Sequence, residues 1–331
     1  MYRGTLRDNE GRVIDYLRIS ITDRCNLRCI YCMPEEGVKN ICHEKILSYD
    51  EITRICSVLA RHGLRKIKIT GGEPLVRKNA IGLIRKLKKI SGITSVTLTT
   101  NGVLLEQYYD ELADAGIDAI TISLDTIKGD VYQRLTRRNE LERVLRGIEK
   151  AVRENKVRLK INCVCVTDIE TQDILGLLNY ARGADVDIRF IEMMPIGLGK
   201  QFPFVSEDIL RKAIEEKYGK LTPYVKSRGN GPCKYYDVPG CIGKVGFISA
   251  VSHKFCDTCN RVRLTSDGFL KTCLQYDCGV YLKGLLEQKV SDEILWETLK
   301  TAIEQKPKGH HFDEKNIKRE DEIRGMSQIG G

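Results

Sequence analysis

The 331-residue sequence predicts an α/β protein: a partial, open (β/α)6 barrel of the TIM type, followed by a smaller C-terminal α+β domain. Three observations predict it. Short apolar strands alternate with helical stretches six times between residues 13 and 192. Polar and glycine residues gather where those strands end, and past residue 205 the rhythm gives way to turn-rich segments. Repetition at this spacing calls for parallel strands joined by right-handed crossovers, and six units are too few for ordinary eight-stranded closure. The same alternation also allows an open doubly wound sheet.

The first strand, at 13–22, runs directly into a cysteine-rich loop. Ser48 and Glu51 form a capping-box pattern that opens a helix to about His62, and Gly63 ends it. A strand at 67–70 leads into Gly71-Gly72-Glu73-Pro74, with a basic amphipathic helix behind it. Strands at 96–100, 117–123, 159–166 and 186–192 lead into Asn101-Gly102, Leu124-Asp125, Thr167-Asp168 and Met193-Met194-Pro195. Helices near 104–115, 140–154 and 171–182 fill the gaps. A helix over 206–218 opens the second unit, where short strands such as 244–248 lie between turns at Thr222-Pro223, 228–232 and Pro239-Gly240. The predicted division is 1–205 for the barrel and 206–331 for the C-terminal domain. From Lys306 the chain is polar and reads as a mobile tail ending in Gly330-Gly331.

Composition narrows the function. Thirteen cysteines, no apolar leader and no apolar run of the roughly 18 residues a membrane helix needs predict a cytoplasmic protein with thiols or metal ligands, not a disulfide frame. The net charge of +9 comes from interspersed residues, most of them on solvated helix faces. The remainder suits an anion, and a polyphosphate is as compatible as a nucleic acid.

Cys25, Cys29 and Cys32 place three thiols in eight residues at a strand end. Structural zinc closes a tetrahedron with four ligands, usually as two pairs, whereas C-x3-C-x2-C offers three. A [4Fe–4S] cube on three cysteines keeps one iron without a protein ligand, and that iron is a place for chemistry. The loop, with aromatic Tyr31 before the last cysteine, resembles the radical S-adenosylmethionine (SAM) superfamily. That resemblance implies that the open iron binds SAM, and that an electron delivered to the sulfonium yields a 5'-deoxyadenosyl radical.

A second group, Cys256 and Cys259 with Cys273 thirteen residues further on, is by itself a fair zinc pattern that Cys278 could complete. Joined to the first loop, and with Arg261 and Arg263 just after the pair and Gly330-Gly331 at the end, it resembles the GTP 3',8-cyclase family of molybdenum cofactor biosynthesis. The resemblance spans about 15–331. It implies a second [4Fe–4S] cluster on Cys256, Cys259 and Cys273. It implies SAM contacts at Tyr31, Gly72, Ser123 and Met194, and GTP contacts at Arg18, Lys68, Thr99, Lys160, Arg261 and Arg263, the last two also catalytic. Lys68 stands where the family often has Arg, keeping the charge without the bidentate fork. Independently of the family, Arg18, Lys66, Lys68, Lys160, Arg189, Arg261 and Arg263 fall mostly at strand ends or beside cysteines, where an ordinary core places no cations.

The implied reaction takes hydrogen from C3' of GTP, joins C3' to guanine C8, and gives (8S)-3',8-cyclo-7,8-dihydroguanosine 5'-triphosphate, the first step toward molybdopterin. The partners expected are GTP, a low-potential electron donor and a downstream cyclic pyranopterin monophosphate synthase, with a homodimer allowed and neither nucleic acid nor membrane. Gly330 and Gly331 are expected to reach the active site. A peptide-modifying radical SAM maturase would share the first cluster without needing GTP. A zinc-stabilised nucleic-acid-binding module would be colourless and bind in a salt-dependent way.

Overall fold

The structure, a computed structural model, describes residues 4–39, 41–226, 228–312 and 321–330. The elements follow in chain order: β1 (Tyr16–Ser20), α1 (Tyr49–Arg61), β2 (Lys66–Thr70), α2 (Ala80–Lys88), β3 (Ser95–Thr100), α3 (Leu105–Asp114), β4 (Ala119–Ser123), α4 (Gly129–Thr136) and α5 (Leu141–Glu154). Then come β5 (Arg158–Cys165), α6 (Ile169–Gln172), α7 (Ile174–Ala181), β6 (Val186–Glu192), α8 (Glu207–Tyr218), β7 (Thr222–Tyr224), β8 (Lys234–Asp237) and β9 (Val245–Ile248). The chain closes with β10 (Arg261–Leu264), β11 (Phe269–Lys271), β12 (Gly279–Tyr281), α9 (Lys283–Glu287), α10 (Asp292–Glu304) and α11 (Met326–Ile329).

Among the described residues one sheet of 12 strands runs in the order β12-β11-β10-β1-β2-β3-β4-β5-β6-β9-β8-β7. The six central strands are parallel and consecutive, the arrangement of an open (β/α)6 barrel. The C-terminal portion is joined to both of their edges: β10 pairs parallel with β1, and β9 pairs parallel with β6. Antiparallel β11, β12, β8 and β7 finish the sheet.

Local chemistry explains the elements. Ser48 accepts from Glu51 N while Glu51 accepts from Ser48 N, so α1 starts on the capping box its sequence spells. Central strands such as β2 and β4 are buried almost throughout because helices cover their outer face. The predicted helix at 171–182 divides into α6 and α7 at Asp173, whose φ of 59° lies in the left-handed region and interrupts the ladder. Helix α4, absent from the sequence reading, ends at Arg137 with φ 55°.

Of the stretch expected to be a mobile tail, the described parts, 306–312 and 321–330, pack against the rest of the chain. Lys306, His310, Phe312, Glu322 and Ile329 are all buried. Glu322 forms a buried ion pair with Lys271 of β11, which fastens segment 321–330 to the sheet, and a second within the segment with Arg324 at 2.8 Å. Gly331 lies outside the described residues. Among the described residues no helix is long and apolar enough to cross a membrane.

Candidate active site

A cavity of about 530 Å³ runs along the inside of the barrel and is lined by both cysteine groups. The strand directions give the groups opposite ends. Cys25, Cys29 and Cys32 follow β1 and stand at the carboxyl mouth. Cys256 and Cys259 precede β10, whose Arg261 pairs with Tyr16 at the start of β1, so they stand at the amino mouth.

The carboxyl-mouth loop is held from three sides. Arg28 N and Ile30 N donate to carbonyls at the end of α4, and Arg137 reaches the carbonyls of Arg28 and Met33. Gly72 N and Glu73 N donate to Thr22 O and Arg24 O at 2.8 Å. A Cβ on Gly72 would lie 2.4 Å from the Arg24 carbonyl oxygen, so the glycine is required by the loop's own approach. Glu73, fully buried, accepts from Leu75 N, Thr100 Oγ1 and Asn101 N, and burial raises its carboxyl to about 7. Asn101 then donates to Cys25 Sγ at 3.7 Å. The Tyr31 hydroxyl donates to Asp125 at 2.7 Å, and burial lifts Asp125 to about 6.

Between the mouths the wall is cationic. The parallel register sets Arg263, Arg18, Lys68 and Thr97 side by side across β10, β1, β2 and β3. Lys68 and Arg189 both donate to the single oxygen Thr121 Oγ1, at 3.2 and 3.0 Å. Burial, then the nearby Arg189, Arg18 and Lys160, push the Lys68 ammonium well down. Burial, then Arg189, bring Lys160 down to about 7 against the opposing pull of Asp187. Arg263 is pushed down by burial, then by Arg18 and Arg261. Thr99 Oγ1, Asn162 Oδ1 and Arg189 Nε are buried there with no hydrogen-bond partner among the described residues. Buried like charges are costly unless an anion joins them, and orphaned polar atoms call for a polar ligand.

At the amino mouth, burial raises the Cys259 thiol but Lys306 and Arg261 outweigh it, bringing it to about 7. Burial and the neighbouring thiols Cys273 and Cys259 raise Cys256, while a main-chain hydrogen bond from His310 lowers it. Arg12 lines the cavity beside them. Cys278 is absent from the lining and meets Thr272 Oγ1 at 3.2 Å.

The donor sets suit iron–sulfur clusters. Each contains three soft thiols: in the first, Cys29 rises through burial, then through Cys32, Asp125 and Cys25, and in the second Cys256 rises through burial, then through Cys273 and Cys259. Main-chain N–H groups reach sulfur in both, from Leu27 to Cys25 at 3.4 Å and from Ser327 to Cys32 in the first, and from His310 to Cys256 in the second. Among the described residues no group of three His, Cys, Asp or Glu side chains is placed to hold a metal ion.

Every described residue proposed from sequence for cluster, SAM or GTP lines this one cavity. Lys66 does not: it sits at the start of β2 and pairs with Asp15 at 2.8 Å, so it leaves the cation set. Gly330 stands just behind the wall, where its carbonyl accepts from Arg263. Sequence reasoning missed Arg12, Thr121 and the supporting roles of Asn101 and Asp125. The last two stood at strand ends and were open to inference, whereas Arg12 carries no local signal.

Residues 19–181 match the Radical SAM superfamily and residues 186–312 match Molybdenum Cofactor Synthesis C. Along 326 residues the chain is 43% identical to the GTP 3',8-cyclase of Clostridium perfringens (strain SM101 / Type A), covering 98% of this chain and 100% of that one. The GTP 3',8-cyclase of Petrotoga mobilis is 43% identical over 328 residues, covering 98% and 99%. A crystal structure of Streptococcus suis SuiB bound to S-adenosylmethionine shares the fold, with TM-score 0.60 and 16% identity over 89% of this chain and 69% of that one.

Proposed function

We infer that this chain, which belongs to the GTP 3',8-cyclase family of the radical SAM superfamily, cyclises GTP between ribose C3' and guanine C8 at the start of molybdenum cofactor synthesis. The observation that carries the reading is the single cavity: two cysteine triads at its opposite mouths and a buried cationic wall between them.

Cys25, Cys29 and Cys32 would hold a [4Fe–4S] cluster and Tyr31, Gly72, Ser123 and Met194 would contact SAM. When bound, this pair supplies a carbon radical able to take hydrogen from a ribose C–H bond. Asp125 fixes the Tyr31 ring through its hydroxyl, and Glu73 fixes the Gly-Gly turn against the cysteine loop. Arg18, Lys68, Lys160 and Arg189 neutralise a triphosphate and hold the ribose in one pose, while Thr99 offers its unpartnered hydroxyl. Cys256, Cys259 and Cys273 would hold a second [4Fe–4S] cluster, which would supply a Lewis-acidic position for the guanine base. Arg261 and Arg263 orient that base and stabilise the charge that develops on it as the cyclised product is reduced and protonated. The barrel walls keep water from the radicals.

A division into units 1–205 and 206–331 is supported by the sheet order, since the six central strands all precede residue 206 and the strands at both edges follow it. The thirteen free thiols suit a reducing cytoplasm. An electron donor and a synthase that consumes the product complete the expected partners, and a homodimer is compatible.

The test is anaerobic turnover of the cluster-reconstituted protein with SAM, reductant and GTP deuterated at C3'. Deuterium in the 5'-deoxyadenosine formed supports the cyclase reading. Unlabelled 5'-deoxyadenosine made equally well without GTP would reject it while keeping SAM cleavage.

A further inference from the structure

Arg12 stands before both matched family regions, which begin at residues 19 and 186, and nothing in the proposed chemistry uses it. Its guanidinium is nonetheless one of the most heavily engaged groups in the protein. It is 8% exposed and pairs with buried Asp8 at 2.6 Å. Its remaining N–H groups donate to four main-chain carbonyls: Cys256 at 3.0 Å, Lys308 at 2.8 Å, Pro307 at 2.7 Å and Lys306 at 3.3 Å. One side chain therefore joins two segments some fifty residues apart.

What it joins matters. Segment 306–310 forms the wall over the second cysteine group. A Cβ on Gly309 would lie 3.6 Å from Cys256 Sγ, and a main-chain hydrogen bond from His310 acts on that sulfur. Lys306 Nζ donates to Thr272 O at 2.5 Å, one residue before Cys273, and its charge acts on Cys259. Each cysteine of the second group is thus touched, or flanked in sequence, by a segment that Arg12 holds. Five donors in a rigid fork suit Arg to this work; Lys, a point charge with three donors, cannot span the same carbonyls.

We propose that Arg12 is a positioning residue for the second iron–sulfur cluster, clamping segment 306–310 over Cys256, Cys259 and Cys273 so that Lys306 and the His310 N–H face the ligating sulfurs. This rests on the reading that the second cysteine group holds a cluster. Outer groups that orient ligands typically change metal affinity or activity ~10–100-fold when removed.

The experiment isolates each cluster. In a background with Cys25, Cys29 and Cys32 changed to Ala, only the second group is loaded. In the converse background, with Cys256, Cys259 and Cys273 changed to Ala, only the first is. Into each go Arg12→Lys and the paired change Asp8→Asn with Arg12→Gln, which leaves no lone buried carboxylate. Iron release to a chelator is timed anaerobically, and the EPR spectrum and midpoint potential of the reduced cluster are recorded. The expected result is release from the second group at least ~10-fold faster with a shifted potential, while release from the first group stays within twofold. Release and potential unchanged in the second-group background would overturn the role of Arg12. Equal acceleration in both backgrounds would also overturn it, marking Arg12 as general scaffold. Failure of the parent second-group protein to hold iron at all would overturn the second-cluster reading, and the proposal with it.

Discussion

The Arg263 guanidinium donates to the main-chain carbonyl of Gly330, joining the middle of β10 to the end of the described chain. The contact has no slack: a Cβ on Gly330 would lie 2.5 Å from Thr70 Oγ1 and 3.2 Å from Ser20 Cβ, at the carboxyl ends of β2 and β1. Its φ of 75° also favours glycine. Arg263 itself sits among Arg18 and Arg261 and is 9% exposed, so the carbonyl supplies an acceptor to a crowded cationic wall. The end of the described chain and the cationic wall are therefore one structure.

Removing Gly330 and Gly331 is expected to leave both clusters loaded, because neither residue is a ligand, and to lower turnover by about 100-fold through loss of Arg263 alignment. Iron per chain and product formation, measured on the same sample, check this. Normal turnover after trimming would show that the tail does not serve the reaction.

Lys160 gives the site a pH dependence whose sign follows from its pKa. Held at about 7 by burial and then by Arg189, its ammonium form is lost as pH rises through that value. With Lys160 in its proposed role a triphosphate would bind the ammonium form, so GTP affinity is expected to weaken above about pH 7, by at most about tenfold per pH unit from this one group. GTP binding there draws in a proton. Calorimetry in buffers of different ionisation enthalpy reads that uptake. Lys160→Met should remove the part due to this residue, and Lys160→Arg should bind GTP with a flatter profile.

Glu73 supplies a stability term of the opposite kind to an ordinary ion-paired carboxylate. Burial raises it from 4.5 to about 7, so the folded protein binds more protons than the unfolded chain between those values. The contribution is fully present below 4.5 and is lost as pH rises toward about 7. Glu73→Gln should flatten that part of the urea-midpoint profile. It should also cost about 1–3 kcal/mol, because one of the donors from Leu75, Thr100 and Asn101 loses its acceptor. An unchanged profile would mean that Glu73 does not titrate in this range.

Gly72→Ala places a methyl 2.4 Å from the Arg24 carbonyl and 2.8 Å from that of Asp23. Both are backbone atoms, so the cysteine loop must move, at about 1–3 kcal/mol. Iron bound at Cys25, Cys29 and Cys32 should fall while iron at the second group is retained. Parallel loss from both would instead indicate general unfolding.

The sequence by itself determined the six strand–helix units, the capping box at Ser48, both cysteine triads and most of the cations. Each of these is written in local periodicity or in fixed spacing of chemically distinctive residues. Tertiary structure alone decided that the two triads occupy opposite mouths, since that depends on β10 running parallel to β1 across more than two hundred residues of chain. It decided that Lys66 turns to Asp15 while Lys68, two residues on, enters the cavity: both lie on one face of β2, but only Lys68 is far enough along the strand to reach the interior. It also docked a polar tail, because Lys271 and Glu322 neutralise one another in the interior, and no local pattern announces a partner some fifty residues away. Arg12 belongs to the same class. A lone arginine near the start of a chain reads as a solvated charge until the fold brings four carbonyls to it.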